Sequence, residues 1–192
     1  EKDNQINLLN NYLDYCELIT YMYSNLYNLA YKNKINLQLY SQLKDIIETG
    51  LRSMNYRVTI IDKKTKETRV VKINEEAEIV AAQSQESIKD VILLYLGTRD
   101  NNIECKKIYL HKFIDLLEPV FKKYNNEPIS SVREYVQLLR HPETKKNDQK
   151  YIWFYENESE YIDKLFSMCL FVQHYDITKK TLKDFEQNKT KI

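Results

Sequence analysis

Apolar residues recur in this chain at intervals of three and four positions, which is the spacing of one face of an α-helix. The stretch INLLNNYLDYCELITYMYSNLYNLAY, residues 6–31, carries Leu9, Leu13 and Cys16 at this spacing. The polar stretch KNKIN separates it from a second such pattern over residues 39–54. The pattern therefore predicts two amphipathic helices at the start of the chain.

A different pattern occupies residues 56–73. Two β-branched runs, YRVTII and TRVVKI, flank the charged stretch DKKTKE, and this order is typical of a β-hairpin. A two-stranded hairpin is only marginally stable by itself in water. We therefore expect it to pack on the helices, to pair with a partner, or to extend as an arm.

Helical spacing resumes after the hairpin and continues to the end of the chain. The polar stretch QSQES could divide the first of these helices, and Pro119 should kink or restart a later one. Ser131 and Glu134 have the spacing of a capping box at the start of another helix. Short polar loops between the helices indicate an all-α, multi-helix bundle. We predict a single helical domain over residues 1–192, with the hairpin at 56–73 as an excursion within it.

One segment suggests a more specific helical arrangement. The stretch LLYLGTRDNNIECKKIYLHKFIDLLEPVF, residues 93–121, contains a helix, a short polar turn and a returning helix. This arrangement resembles armadillo and HEAT-type units in a general way. The resemblance implies a short armadillo/HEAT-like helical stack as the alternative to a bundle.

Composition changes this picture by excluding several classes of protein. With two glycines and three prolines, the chain has few residues for the turns of a β-sandwich or for a glycine-rich phosphate loop. The 29 basic residues are balanced by 28 acidic residues, whereas nucleic-acid binders usually carry a basic excess. Nucleic acid is therefore an unlikely partner overall. No apolar run approaches the roughly 18 residues of a transmembrane helix, so we expect no membrane-spanning segment.

Cysteine and histidine usage predicts neither metal nor cofactor. The three cysteines are isolated within apolar helical patterns, which favours reduced thiols in an intracellular protein, soluble or part of a complex. The chain contains no CxxC or HExxH motif of the kind that binds zinc. It begins with neither methionine nor a signal peptide, so we expect a processed product or a piece of a longer polypeptide.

The aromatic-rich stretch YIWFYENESEYIDKLFSMCLFVQHY, residues 151–175, has two parts. From residue 161 onward its apolar positions surround the helix, which predicts burial in the core. Tyr151, Trp153 and Tyr155 precede that helix in a short segment that, if extended, would place all three on one face. Tryptophan and tyrosine are common anchors of protein interfaces, so these three residues are candidate partner-binding residues. The alternative is that they cover the end of the core.

A group of basic residues supplies the one catalytic hypothesis. Arg133 lies within a predicted helix, and Arg140 and His141 lie at its end. These residues could bind phosphate or act in general acid–base cleavage of RNA. The stretch is loosely similar to the Arg/His helix of HEPN-type ribonucleases. Arg133 is farther from His141, and Arg140 nearer, than that family's motif has them. A cation at a helix C-terminus is also stabilised by the helix dipole, which gives a purely structural alternative.

These observations favour a non-enzymatic protein–protein interaction or scaffold domain that is one component of a larger intracellular assembly. Other protein subunits are the expected partners. A helical domain of an ion channel or a cytoskeletal protein would be a version of the same function. The alternative is a HEPN-like helical ribonuclease or RNA-binding protein that uses the region from Arg133 to His141. That alternative requires His141→Ala to abolish RNA cleavage while leaving stability nearly unchanged.

Overall fold

The structure is a computed structural model and describes residues 2–33, 37–62, 67–141, 147 and 149–189. Within these ranges the chain forms eight helices and one antiparallel pair of strands. In chain order they are α1 (Lys2–Asn33), α2 (Leu37–Ser53), β1 (Tyr56–Asp62), β2 (Glu67–Lys72), α3 (Glu75–Gln83), α4 (Glu86–Leu96), α5 (Ile103–Lys123), α6 (Ile129–Arg140), α7 (Gln149–Glu156) and α8 (Glu158–Lys189). The predicted all-α bundle with one small hairpin is confirmed.

The chain divides into two compact units. The first contains Glu1–Asn74 and Leu96–Asn101, and the second contains Glu75–Tyr95 and Asn102–Ile192. The expectation of a single domain over residues 1–192 stays a prediction.

The core of the first unit joins both helices to the hairpin. Strand β1 packs against α2, and strand β2 packs against α1. Buried apolar side chains come from α1, α2 and β2: Leu13, Cys16, Ile47, Leu51 and Val70. Of the three roles considered for the hairpin, packing on the helices is the one that the structure shows. The turn between the strands, residues 63–66, lies outside the described residues.

Asn55 sets where α2 ends and where the hairpin begins. Its φ angle of 66° is left-handed, a conformation that asparagine tolerates better than most residues. Its backbone N–H donates to the Arg52 carbonyl at 3.0 Å, and its carbonyl accepts from the Ile73 N–H at 2.9 Å. The second bond starts the register in which Tyr56 lies opposite Lys72.

The second unit is organised around α8, which packs against α3, α5, α6 and α7. The predicted core position of the wide apolar surface that begins at residue 161 is confirmed for six residues but not for Met168 and Phe171, which are exposed. The six buried residues are Ile162, Leu165, Phe166, Cys169, Leu170 and Val172. The helix continues without a break to Lys189, so the last segment extends α8 and is not a separate short helix.

Three local predictions have different outcomes. The division at QSQES is confirmed, because α3 and α4 are separate helices. The restart at Pro119 is wrong: α5 runs through it. A proline inside a helix lacks the N–H that would bond the carbonyl four residues earlier, and its ring crowds that carbonyl. The helix continues despite this cost at Pro119, which lies on its exposed side.

The predicted capping box is also wrong. Helix α6 begins at Ile129, so Ser131 lies inside the helix and not at its N-cap. The Ser131 hydroxyl donates to Glu127 Oε2 at 2.7 Å, and the Ser130 hydroxyl donates to Glu127 Oε1 at 3.1 Å. The carboxylate that binds these serines therefore precedes the helix and does not come from Glu134. Within the described ranges, none of the helices combines the length and the apolar character that a membrane span requires.

Candidate functional site

The aromatic segment before α8 is helical and not extended. Side chains two positions apart do not share a face of a helix, whereas side chains four apart do. The Tyr151 and Tyr155 rings accordingly lie 4.4 Å apart, while Trp153 packs on Tyr161 at 4.3 Å between ring centroids. The helical form also buries Phe154. The expected common face of the three aromatic residues is therefore wrong, and partner binding by Tyr151, Trp153 and Tyr155 stays a prediction.

Arg140 connects α6 to α5. Its Nη1 donates to Glu118 Oε2 and its Nη2 donates to Asp115 Oδ1, both at 2.6 Å. The hydrogen bond from Arg140 holds the pKa of Glu118 below its ordinary value, against the opposing effect of burial. These contacts favour a structural role for Arg140, because both ends of its guanidinium already bind carboxylates.

The other two residues of the ribonuclease hypothesis differ from Arg140. His141 is exposed at the end of α6, where its backbone N–H donates to the Gln137 carbonyl at 3.1 Å. Arg133 is partly buried and lies close enough to Glu118 to lower the pKa of that carboxyl. A catalytic role for Arg133, Arg140 and His141 stays a prediction.

His111 is a neighbour of this cluster that sequence spacing did not indicate. Burial lowers its pKa, Asp115 opposes that effect, and the cations of Arg140 and Lys107 lower the pKa further. The imidazole is therefore held in its neutral form near neutral pH. No local pattern links His111 to Arg140, because the two residues lie on different helices.

The described residues include no group of histidine, cysteine, aspartate and glutamate that could hold a metal ion. Cys16 and Cys169 are buried, and Cys105 is partly exposed. Burial raises the pKa of the Cys169 thiol far above its ordinary value. This thiol is therefore not activated as a nucleophile.

Helix α1 presents a wide apolar surface beyond the face that packs in the core. Leu8 is 70% exposed, Tyr15 is 62% exposed, and Leu18 and Met22 are at least half exposed. These residues follow the spacing of seven and of three to four that brings side chains onto one helix face. The spacing of Leu9, Leu13 and Cys16 indicated one apolar face of this helix, and no such signal indicated the second surface. We call Leu8, Tyr12, Tyr15, Leu18 and Met22 the α1 surface.

Ion pairs engage the described charged side chains of α1 that lie beside the α1 surface. Between residues 4 and 22 the charged side chains are Asp14 and Glu17. Both bind Arg99: its Nη2 lies 2.8 Å from Asp14 Oδ1 and 3.2 Å from Glu17 Oε2. Asparagines and tyrosines occupy much of the rest of the stretch. The surface is thus apolar and aromatic, and the two carboxylates beside it are ion-paired.

Comparisons of the chain with family models, with curated proteins and with solved structures found no match. The function must therefore be inferred from the surfaces and pockets of the molecule.

A pocket of about 410 Å³ lies in the second unit, bordered by the end of α3, by α5 and by α8. Gln173 lies at this pocket, and its Nε2 donates to Ser84 Oγ at 3.0 Å. The Ser84 hydroxyl in turn donates to the Val80 carbonyl at 2.7 Å. This chain of donors fixes the orientation of the amide, and Gln173 Oε1 is left without a hydrogen-bond partner among the described residues.

Asp176 is the buried charge of this pocket. Its carboxylate accepts from Lys123 Nζ at 2.8 Å and from the Tyr124 hydroxyl at 3.1 Å, and Lys180 Nζ lies 2.6 Å away. Burial by itself opposes ionisation, but the hydrogen bonds from these three groups outweigh it and lower the pKa of Asp176. With Asp184 the pocket has two acidic and two basic side chains. Because these opposite charges balance, the pocket favours neither an anionic nor a cationic ligand.

Replacing this carboxylate is expected to change the pH dependence of stability. Because the folded-state pKa of Asp176 is lowered, its stabilising effect is present above the unfolded pKa of about 3.9 and is lost as the pH falls through the folded value. We expect Asp176→Asn to cost about 1–2 kcal/mol at neutral pH and to lose less stability than the parent on acidification. Urea denaturation of both proteins from about pH 7 down to pH 3 measures this. If both proteins lost the same free energy of unfolding on acidification, this expectation would be wrong.

Proposed function

We propose that this chain is a non-enzymatic interaction domain, one subunit of a larger intracellular protein assembly, and that it binds its partner through the α1 surface. The observation that supports this proposal is an apolar helix face whose side chains are 41–70% exposed, while the carboxylates beside it are ion-paired within the unit. Large contiguous apolar patches are uncommon on monomers and often mark interaction sites.

The composition of the α1 surface favours a protein as its partner. Interface centres are enriched in tyrosine and methionine and depleted in charge, and Tyr12, Tyr15 and Met22 match that description. An RNA backbone would require free cations. Arg99, a cation that contacts this helix, is already bound to Asp14 and Glu17.

The spacing of the α1 surface also indicates the form of the partner. Leu8, Tyr15 and Met22 recur every seven residues, and Leu18 takes the intermediate position between the last two. This is the arrangement by which one helix packs its side chains along another. The proposed occupant is therefore a helix of a different protein with an uncharged apolar side.

Introducing a positive charge into the α1 surface tests the proposal. Leu18→Lys should weaken binding of the partner at least about tenfold, equivalent to about 1.4 kcal/mol, because association would move a charged ammonium group from water into an apolar interface. The control is Ile108→Lys on α5, because Leu18 is 54% exposed and Ile108 is 53% exposed. Neither change should lower the melting temperature appreciably, since both side chains are largely in solvent.

The measurement is purification of the tagged full chain from its native source, with and without ribonuclease, followed by quantification of bound protein. We expect the parent and Ile108→Lys to retain the same stoichiometric protein partner after ribonuclease treatment, and Leu18→Lys to lose it. Equal retention by both variants would contradict the assignment to the α1 surface. Loss of all bound protein on ribonuclease treatment would instead favour the RNA-related alternative. Light scattering of the purified chain shows whether it is a monomer or a dimer. A dimer that Leu18→Lys dissociates would mean that a second copy of this chain, and not a different protein, occupies the α1 surface.

A further inference from the structure

The two edges of the hairpin differ in their hydrogen bonding. In an antiparallel pair, a residue directs its N–H and C=O either both toward the partner strand or both away from it. The Val70 N–H donates to Glu17 Oε2 at 2.9 Å, and the Val70 carbonyl accepts from Arg99 Nη1 at 3.1 Å. Val70 therefore directs both groups away from β1. Side chains from outside the hairpin close the edge of β2 at this position.

The same alternation determines which groups lie on the outer edge of β1. Val58 is opposite Val70, and Ile60 is opposite Thr68, so both β1 residues direct their N–H and C=O away from β2. The bond from the Ile73 N–H to the Asn55 carbonyl makes Asn55 an inward-directed residue. Counting from Asn55 in steps of two, Arg57 and Thr59 also point inward, so Val58 and Ile60 point outward.

The outward groups of β1 remain open. Within the described part of the chain, no hydrogen bond is made by the outward N–H and C=O groups of Val58 and Ile60. Unpaired strand edges of this kind pair readily with another extended chain. The edge of β1 is thus the open one, whereas Glu17 and Arg99 close β2 at Val70.

Apolar surface accompanies these open groups. The Ile60 side chain is 56% exposed. Val58 packs against the core cluster of the first unit. A strand added beside β1 would therefore find main-chain partners together with apolar side chains.

We propose that the outer edge of β1, at Val58 and Ile60, accepts an extended segment of another protein as a third strand. The hydrogen-bonding groups identify the occupant: N–H and C=O groups repeated at every second residue match the main chain of an extended peptide. A helix cannot satisfy them, because its own amides are bonded internally, and a simple ion could satisfy groups of only one polarity. This inference concerns a different surface from α1 and does not depend on it.

Hydrogen exchange of the full chain tests the open edge directly. The amides of Val58 and Ile60 should exchange rapidly, whereas those of Arg57 and Thr59, which point toward β2 in the observed register, should exchange slowly. Protection of Val58 to the same degree as Thr59 would overturn the proposal, because the edge would then be covered.

Peptide binding tests the occupant. The probe is a capped peptide with the sequence ETRVVKI, residues 67–73, because this chain already pairs that sequence with β1. We expect it to shift the amide resonances of Val58 and Ile60 and to bind Ile60→Ala within about threefold of the parent. Ile60→Pro should bind at least about tenfold more weakly, since proline removes the outward N–H but no ladder bond.

Two outcomes would overturn the assignment. One is an absence of resonance changes at Val58 and Ile60 at millimolar peptide. The other is equal binding by Ile60→Pro and Ile60→Ala. A dimer of the parent chain that Ile60→Pro disperses would replace the proposed occupant with a second copy. Leu18→Lys should leave peptide binding unchanged, so failure of the α1 proposal and failure of this one can be told apart.

Discussion

Replacing Phe113 by alanine is expected to lower the free energy of unfolding by about 3–5 kcal/mol. Phe113 is fully buried in α5, so its removal leaves a cavity as well as lost apolar contact. Its ring lies 5.8 Å from that of Phe166, which in turn stacks on Tyr95 at 3.8 Å. Trp153 is the single tryptophan of the chain and lies in the same unit. Its fluorescence during urea denaturation measures the change.

Phe171→Ala is the matched control for this experiment. Phe171 belongs to α8 and is 39% exposed, so a smaller fraction of its surface leaves water on folding. We expect a smaller loss of about 1–2 kcal/mol, in proportion to the buried area and without an enclosed cavity. Equal losses for Phe113→Ala and Phe171→Ala would contradict the assigned core, because they would show that burial does not distinguish the two rings.

Arg99→Met is expected to destabilise the first unit by about 2–3 kcal/mol. The Arg99 side chain is only 14% exposed and binds Asp14, Glu17 and the Val70 carbonyl. Methionine keeps part of the apolar stem but leaves the Val70 carbonyl without that donor and Glu17 without its closest cation. Amide exchange of residues in β2 measures the loss, because these amides open when the first unit unfolds.

Lys72→Met provides the comparison for Arg99. It also removes a cation from the first unit, but Lys72 and its partner Asp100 are each about half exposed and lie 3.6 Å apart. An exposed pair of this kind contributes about 1 kcal/mol or less. If both variants raised amide exchange equally, the charge of Arg99 and not its buried hydrogen bonds would be the stabilising feature, and the prediction would be wrong.

Local periodicity was sufficient to predict most of the elements. The spacing of apolar residues predicted α1, α2, α5 and α6, and the β-branched runs predicted the hairpin. These predictions succeed because a helix or a hairpin is specified largely by neighbours within a few positions. The wide apolar surface that begins at residue 161 likewise predicted burial of α8.

The predictions that failed concern the ends of elements and short segments. Tyr151, Trp153 and Tyr155 alternate in the sequence as a strand would, but burial of Phe154 favours a helix at α7. Ser131 and Glu134 have the spacing of a cap, but α6 starts before them. In the first case burial of Phe154 outweighs a weak local preference for a strand. In the second case the helix begins at Ile129, ahead of the cap that the spacing suggests.

The sequence by itself determined the all-α class, the hairpin and the inward face of each long helix, because these follow from residue spacing. Only the tertiary structure decided which apolar face of α1 stays in water and which edge of the hairpin stays open. A contact between distant residues lies at both places: Arg99 is 85 positions from Asp14 and 29 from Val70, yet it binds both. It pairs with the carboxylates beside the α1 surface and, together with Glu17, closes the edge of β2 at Val70. No local pattern contains such a contact, since its energy comes from groups that only the folded chain brings together.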